Sequence, residues 1–169
     1  DAGSKPYAFP SGGSNSLGSW GYTHAVDEIC EQVRSGGLEP LDRIYFACGS
    51  GGTAAGLALG VHYSGLGETG TELVGLCVDD TPDFFYDKIN GLMRGCHSDF
   101  TDLQSRELCT LLDCVGDGYA ISTDEELRFL IEAAQSTGVV LDPVYSGKAA
   151  RGMMMDLRAR PVARALFVH

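Results

Sequence analysis

The sequence predicts an α/β domain of three layers, with a largely parallel sheet between two sets of helices. Three observations predict it. Short apolar runs at 41–48, 72–78 and 165–168 alternate with segments whose apolar residues recur at helical spacing. A glycine-rich run at 49–56 joins the first of those runs to a helix, which is where parallel strand–helix units turn. The 169 residues, 44% of them hydrophobic, are enough to enclose a core of their own.

Residues 5–21 are rich in Gly, Ser and Pro and read as a loop with many backbone N–H groups available to a ligand. Residues 22–34 read as a helix, because Ala25, Val26, Ile29, Cys30 and Val33 share a face and Gly36-Gly37 stops it. The strand at 41–48 follows, then a helix over 53–61 and a near-continuous apolar strand at 72–78. Residues 82–93 read as a helix carrying Phe84, Phe85, Lys88, Ile89 and Leu92, and 103–112 as another. The clearest helix is 124–136. Leu127, Leu130, Ile131 and Ala134 form its stripe, and Thr123 with Glu126 makes a capping box. A helix over 148–158 ends before Pro161, and the last apolar run, 165–168, reads as a strand. No repeat, low-complexity tract or linker divides residues 1–169. The final run stops at His169 without a turn, so the sequence reads as a portion of a longer chain.

The net charge of −11 argues against nucleic acid and anionic membranes as partners. No stretch has the roughly 20 apolar residues of a membrane span, and residues 1–10 lack the pattern of a signal peptide. Cys30, Cys48, Cys77, Cys96, Cys109 and Cys114 form no CxxC pair, and no His stands at zinc-finger spacing. They read as buried, reduced thiols, which suits a reducing compartment such as cytoplasm or an organelle matrix and leaves no metal site.

Four segments carry candidate chemistry. In the first, Gly49, Ser50, Gly51, Gly52 and Thr53 lie between a strand and a helix. Glycines let the backbone turn tightly, and the helix N-terminus offers N–H groups and a positive dipole end to a phosphate. A turn packed without ligand fits the same residues. So does dinucleotide binding, since Gly49-x-Gly51-x-x-Ala54 follows a loose fingerprint and Asp79 and Asp80 follow the next strand. A Walker A loop is excluded because no Gly-Lys-Ser/Thr follows. The second segment, Leu141-Asp142-Pro143-Val144-Tyr145-Ser146-Gly147-Lys148-Ala149, sets a tyrosine between a proline turn and a helix. Tyr145 there either projects into a cleft or caps the core, with Ser146 as a neutral hydrogen-bonding group or an N-cap. The stretches 12–18 and 116–119 are glycine-rich loops able to line a pocket.

Together these segments resemble the family of D-cysteine desulfhydrase and 1-aminocyclopropane-1-carboxylate deaminase. The matching stretches are 6–15, 49–57, Gly118-Tyr119, 141–149 and 166–169, which span nearly the whole chain; 141–149 is the specific one. The resemblance implies the tryptophan-synthase-β-like fold of pyridoxal phosphate enzymes (fold type II), incomplete here. It implies pyridoxal 5′-phosphate as cofactor, its phosphate held by residues 49–53, and an amino acid as substrate. Tyr145 and Tyr119 are implied to face that substrate and assist proton transfer, with Ser146 at the pyridine nitrogen. The deaminases usually carry Glu at that position, and a neutral Ser or Thr is the desulfhydrase pattern. The implied reaction is therefore β-elimination, from D-cysteine to pyruvate, hydrogen sulfide and ammonia. The family's Schiff-base lysine stands in a Gly-Asn-Lys context, followed by Ser-Asn-His, and neither occurs here; Lys5, Lys88 and Lys148 do not match. The chain thus corresponds to the C-terminal portion of such an enzyme. It is expected to work within a homo-oligomer or larger assembly, either as part of a lyase or as a non-catalytic subunit.

Overall fold

The computed structural model describes residues 3–169. Four parallel strands form one sheet, in the order β3-β2-β1-β4: β1 is Arg43–Cys48, β2 Glu72–Cys77, β3 Thr110–Asp113 and β4 Ala165–Val168. Six helices accompany them among the described residues: α1 Ser16–Arg34, α2 Gly52–Ser64, α3 Pro82–Cys96, the single turn α4 Ser105–Leu108, α5 Asp124–Thr137 and α6 Ser146–Ala159. The predicted three-layer α/β fold is the one observed.

β1 shows how one strand serves two cores. Ile44, Phe46 and Cys48 point into the larger core, with Ala54, Leu57 and Ala58 of α2, Val26 of α1 and Phe85, Ile89 and Met93 of α3. Tyr45 and Ala47 point to the other face, with Val74, Leu76 and Ala149 of α6. A central strand covered on both faces must be apolar throughout, which explains the uninterrupted run in the sequence.

Two expectations fail. Residues 16–21 are not loop but the first turns of α1, whose N-cap is Asn15; its side chain accepts from Gly18 N at 2.7 Å. The small residues there are a packing device. Ser19 and Thr23 are buried against α2, Thr23 Oγ1 donates to Gly56 O at 3.1 Å, and a side chain at Gly56 would strike the Ser19 carbonyl oxygen. The composition of a loop is here the composition of a close helix–helix contact. The helix expected over 103–112 is instead α4 followed by β3. Leu108, Leu111 and Leu112 fit helical spacing, yet Leu111 and Leu112 separate to opposite faces of the sheet, and pairing with β2 from Val74↔Thr110 to Cys77↔Asp113 settles the conformation.

The remaining expected elements are present with shifted ends; α6 begins at Ser146, two residues early. The capping box is present: Glu126 N donates to Thr123 Oγ1 at 3.2 Å and Thr123 N to Glu126 Oε2 at 2.7 Å. All six cysteines are free, but only Cys48, Cys77 and Cys109 are buried; Cys30, Cys96 and Cys114 are half-buried, a correction to the uniform burial expected. Burial, chiefly, pushes the Cys109 and Cys114 thiols up to about 12. Cys77 is raised too, first by its hydrogen bond with Cys48 and then by burial. Among the described residues no group of His, Cys, Asp and Glu is arranged to hold a metal, and no helix is long and apolar enough to cross a membrane.

The C-terminal half of α6 is tied to the start of β1 by a buried polar network. Arg43 Nη1 donates to Asp156 Oδ2 at 3.1 Å and to Tyr45 Oη at 2.8 Å, and Nε donates to Glu72 Oε2 at 2.7 Å. Tyr45 Oη donates to the same Asp156 oxygen at 2.6 Å, and Arg160 Nε reaches Asp156 Oδ1 at 2.9 Å. The Asp156 and Arg43 side chains are 8% and 7% exposed, so removing the carboxylate takes from Arg43 Nη1 and the Tyr45 hydroxyl an acceptor that water cannot readily replace. Asp156→Ala should lower the free energy of unfolding by about 3 kcal/mol, measured by chemical denaturation. A loss below about 0.5 kcal/mol, the range of an ordinary surface change, would contradict this account.

Candidate functional site

β1 leads through α2 to β2 on one side, while β4 lies on its other side. The chain therefore changes direction across the sheet between β1 and β4, and the carboxyl ends of strands at such a point open a crevice for ligands. A cavity of about 620 Å³ lies there. β1 contributes Ala47 and the turn after it Gly49, Ser50 and Thr53; β4 contributes Val168, with His169 beyond it. Tyr119, Tyr145 and Ser146 line it as well, with Asp79 and Asp142.

The cavity thus unites six of the eight residues singled out in the sequence. Gly51 and Gly52 stand behind the turn. Gly51 is the N-cap of α2 with φ of 87°, a conformation that glycine adopts without strain. Gly52 N donates to Ser14 Oγ at 3.2 Å. Ser14 in turn lies 2.5 Å from Ser50 Oγ, one hydroxyl donating to the other. A β-carbon at Gly52 would come 2.6 Å from Ser14 Oγ, and one at Gly12 2.8 Å from Ser50 Oγ. The segment before α1 is thereby clasped onto the α2 turn through hydroxyls and bare backbone. The helix dipole and the Ser50 and Thr53 hydroxyls give this turn the character of an anion cradle.

The opposite wall is set by Asp142. Its Oδ1 accepts from Val144 N at 2.8 Å and Tyr145 N at 2.7 Å; its Oδ2 accepts from Ser146 N at 2.8 Å and Ser146 Oγ at 2.5 Å. Asp142 N donates back to Ser146 Oγ at 3.0 Å. One carboxylate therefore takes the N–H groups that open α6, which have no acceptor within the helix. Burial acts to raise the Asp142 pKa, but the hydrogen bonds from Ser146, Tyr145 and Val144 outweigh it and hold the group at about 2. Ser146 is thus not the N-cap; it is the first helical residue, and Tyr145 precedes it.

Tyr145 lies across the bare α-carbon of Gly49, where any β-carbon would collide with the ring; its Cδ1 would be 2.9 Å away. Tyr145 Oη and Tyr119 Oη are 2.7 Å apart, with ring centroids at 5.9 Å in an edge-on arrangement. The hydrogen bond with Tyr119, then burial and the nearby Asp79 and Asp142, push Tyr145 up to about 12, so the phenol stays protonated at neutral pH. Asp80, the other acid weighed for a ribose, accepts from Thr81 N at 2.7 Å and does not line the cavity.

The residue-by-residue reading missed Asp142 and Ser14. Asp142-Pro143 is a turn signal, and an Asp ahead of a helix start is a capping signal, so a role for Asp142 was open to sequence reasoning. Ser14 carried no such signal, because its partner Ser50 is 36 residues away.

Two expected outcomes follow from this geometry. The folded pKa of Asp142 is depressed below an unfolded value of about 3.9. Its contribution to stability is therefore complete above pH about 4 and is lost as pH falls through about 2. Asp142→Asn should flatten thermal stability across that window; an unchanged acid limb would refute the assignment. Gly49→Ala should cost about 1–3 kcal/mol by forcing the Tyr145 ring or the turn to move. It should also change the near-ultraviolet circular dichroism of the tyrosines.

Comparison with known proteins adds the family. Residues 2–169 match the model of the family described as pyridoxal-phosphate dependent enzyme. The chain is 46% identical to the mitochondrial bifunctional D-cysteine desulfhydrase/1-aminocyclopropane-1-carboxylate deaminase of Arabidopsis thaliana, over 99% of this chain and 41% of that protein. It is 38% identical to a protein of Thermotoga maritima named as a putative 1-aminocyclopropane-1-carboxylate deaminase, over 99% of this chain and 52% of that one. A crystal structure of an ACC deaminase homologue superposes with a TM-score of 0.81 at 32% identity, covering 99% of this chain and 49% of that chain. The chain spans about half the length of these relatives. With the strand order, the glycine turn and this match over nearly every residue, the chain belongs to the family of pyridoxal-phosphate dependent enzymes.

Proposed function

We propose that this chain forms the cofactor-phosphate and tyrosine half of a pyridoxal phosphate-dependent β-elimination lyase acting on D-cysteine. The observation that carries the reading is convergence. The α2 turn, the tyrosine pair and a neutral Ser146 all line one cavity at the point where the strand order reverses, between β1 and β4. The names of the relatives support the substrate class.

The residues suit the cofactor. A phosphate fits against residues 49–53, with Ser50 and Thr53 donating hydroxyls and the start of α2 donating N–H groups. The bare α-carbons of Gly12 and Gly52, already in contact with Ser50 and Ser14, keep that cradle closed around the hydroxyls. When bound, pyridoxal phosphate supplies an electron sink for the bonds at the substrate Cα. Tyr145, kept protonated up to about 12, offers its phenolic O–H as a hydrogen bond to the departing sulfur, which leaves as thiolate, while Tyr119, 2.7 Å away, holds that hydroxyl in place. Ser146 meets the ring nitrogen as an uncharged partner. Its single O–H donates to Asp142 Oδ2 here, so that proton would turn from the carboxylate to the ring nitrogen when the cofactor is bound.

The second reading is a non-catalytic subunit; Lys5, Lys88 and Lys148 do not line the cavity. The protein as the cell makes it decides between the readings. A Schiff-base band at roughly 410–430 nm with bound cofactor, together with equal amounts of sulfide and pyruvate from D-cysteine, supports the lyase. Ammonia release from 1-aminocyclopropane-1-carboxylate without sulfide from D-cysteine overturns the substrate, and absence of the band overturns catalysis. Thr53→Ala should weaken pyridoxal phosphate binding by about ten- to a hundredfold, read by fluorescence titration, since a hydrogen bond to a charged group contributes about 1.5–3 kcal/mol.

A further inference from the structure

Lys148 is the most deeply buried charged side chain of the site region, and the proposed chemistry does not use it. Its side chain is 0% exposed. Nζ donates to Val115 O at 2.5 Å and to Gly118 O at 3.2 Å, and lies 3.7 Å from Glu126 Oε1. Burying an ammonium group is costly unless acceptors surround it. Here two of the three acceptors are backbone carbonyls of one short turn. That turn joins β3 to the residue before Tyr119.

The turn needs a fastening. Gly116 has φ of 65° and Gly118 of 140°, and Ala120 has φ of 58°, uncommon for a residue with a side chain. Its backbone packs directly on the ion pair, since a β-carbon at Gly116 would stand 3.2 Å from Glu126 Oε1 and 3.3 Å from Lys148 Nζ. Burial does not hold Tyr119, which is 48% exposed. Its place therefore follows the turn. Lys148 also follows Tyr145 by three residues, so both rise from the first turn of α6. One rigid helix end carries a phenol and the cation that fixes the partner phenol's turn.

We propose that Lys148 is a positioning residue of the tyrosine pair, pinning the 115–118 turn so that Tyr119 meets Tyr145. Glu126, already spent on the α5 capping box through its other oxygen, adds the start of α5 to the same clamp. The inference rests on the proposed function only in taking the tyrosine pair as part of the site.

The test reads the phenols directly. The chain is labelled with ¹³C at the tyrosine ring and titrated by nuclear magnetic resonance. Tyr145→Phe assigns the Tyr145 signal by its loss, and Tyr119→Phe calibrates the loss of the pair: the Tyr145 midpoint should then fall from about 12 towards the ordinary phenol value of about 10. Lys148→Met keeps the stem and removes the ammonium; it should reproduce that fall while the far-ultraviolet circular dichroism is retained. A folded Lys148→Met protein whose Tyr145 still titrates near the wild-type midpoint overturns the proposal. If Lys148→Met does not fold, Lys148→Gln, which keeps an amide donor, replaces it under the same criterion. Failure of both to fold also overturns it, because the lysine would then hold the domain rather than the turn. Pyridoxal phosphate binding by the wild type is measured separately, so its failure would strike the proposed function and leave the phenol result standing.

Discussion

The fixing of α6 against β1 is the interaction on which the rest of the site depends. At one end Arg43 and Asp156 meet away from solvent, with Tyr45 donating to the same carboxylate oxygen. Such a network is a poor source of net stability but a strong determinant of geometry, because its buried charges keep their partners only while α6 and β1 stay in place. A helix of 14 residues anchored there extends about 20 Å. Its opposite end delivers Tyr145 and Ser146 to the carboxyl end of the same strand, where the α2 turn begins.

Two further constraints make that end exact enough for chemistry. Asp142 collects the first N–H groups of α6 on one carboxylate, so the backbone of Tyr145 has little freedom. Gly49 presents a bare α-carbon on which the Tyr145 ring rests. The phosphate-type turn and the tyrosine are therefore in contact, and a change in one is felt by the other. Tyr119 reaches the pair on a turn of unusual backbone conformation, whose own hydrogen bonds are joined by those of Lys148 to Val115 O and Gly118 O. The site is a set of backbone N–H and carbonyl groups held by Asp142 on one side and by buried Lys148 and Glu126 on the other.

Much of this was legible in one dimension. β1 and β2 are continuous apolar runs because both faces are covered, and the capping box of α5 is a local motif closed within four residues. The strand–glycine–helix order announced the turn that opens α2, and 141–149 announced a tyrosine at a helix start. The start of α1 was not legible, since Ser19 and Thr23 look like loop residues until α2 lies against them. β3 was not legible either, because Leu108, Leu111 and Leu112 satisfy helical spacing, and only pairing with β2 decides.

The sequence by itself determined the fold class, the glycine turn and the identities of the two tyrosines and the serine, because each rests on spacing or on residues close in the chain. It also determined the family resemblance, through motifs that need no partner to be read. The tertiary structure alone decided that Ser14 occupies Gly52 N, that Asp142 spends its charge on the start of α6, and that Lys148 is spent on the Tyr119 turn. The Ser14 and Lys148 contacts join distant parts of the chain. The Asp142 contact is local, yet its choice of N–H groups depends on where α6 begins. A sequence records which groups are available; only the packed chain settles which acceptor each donor reaches.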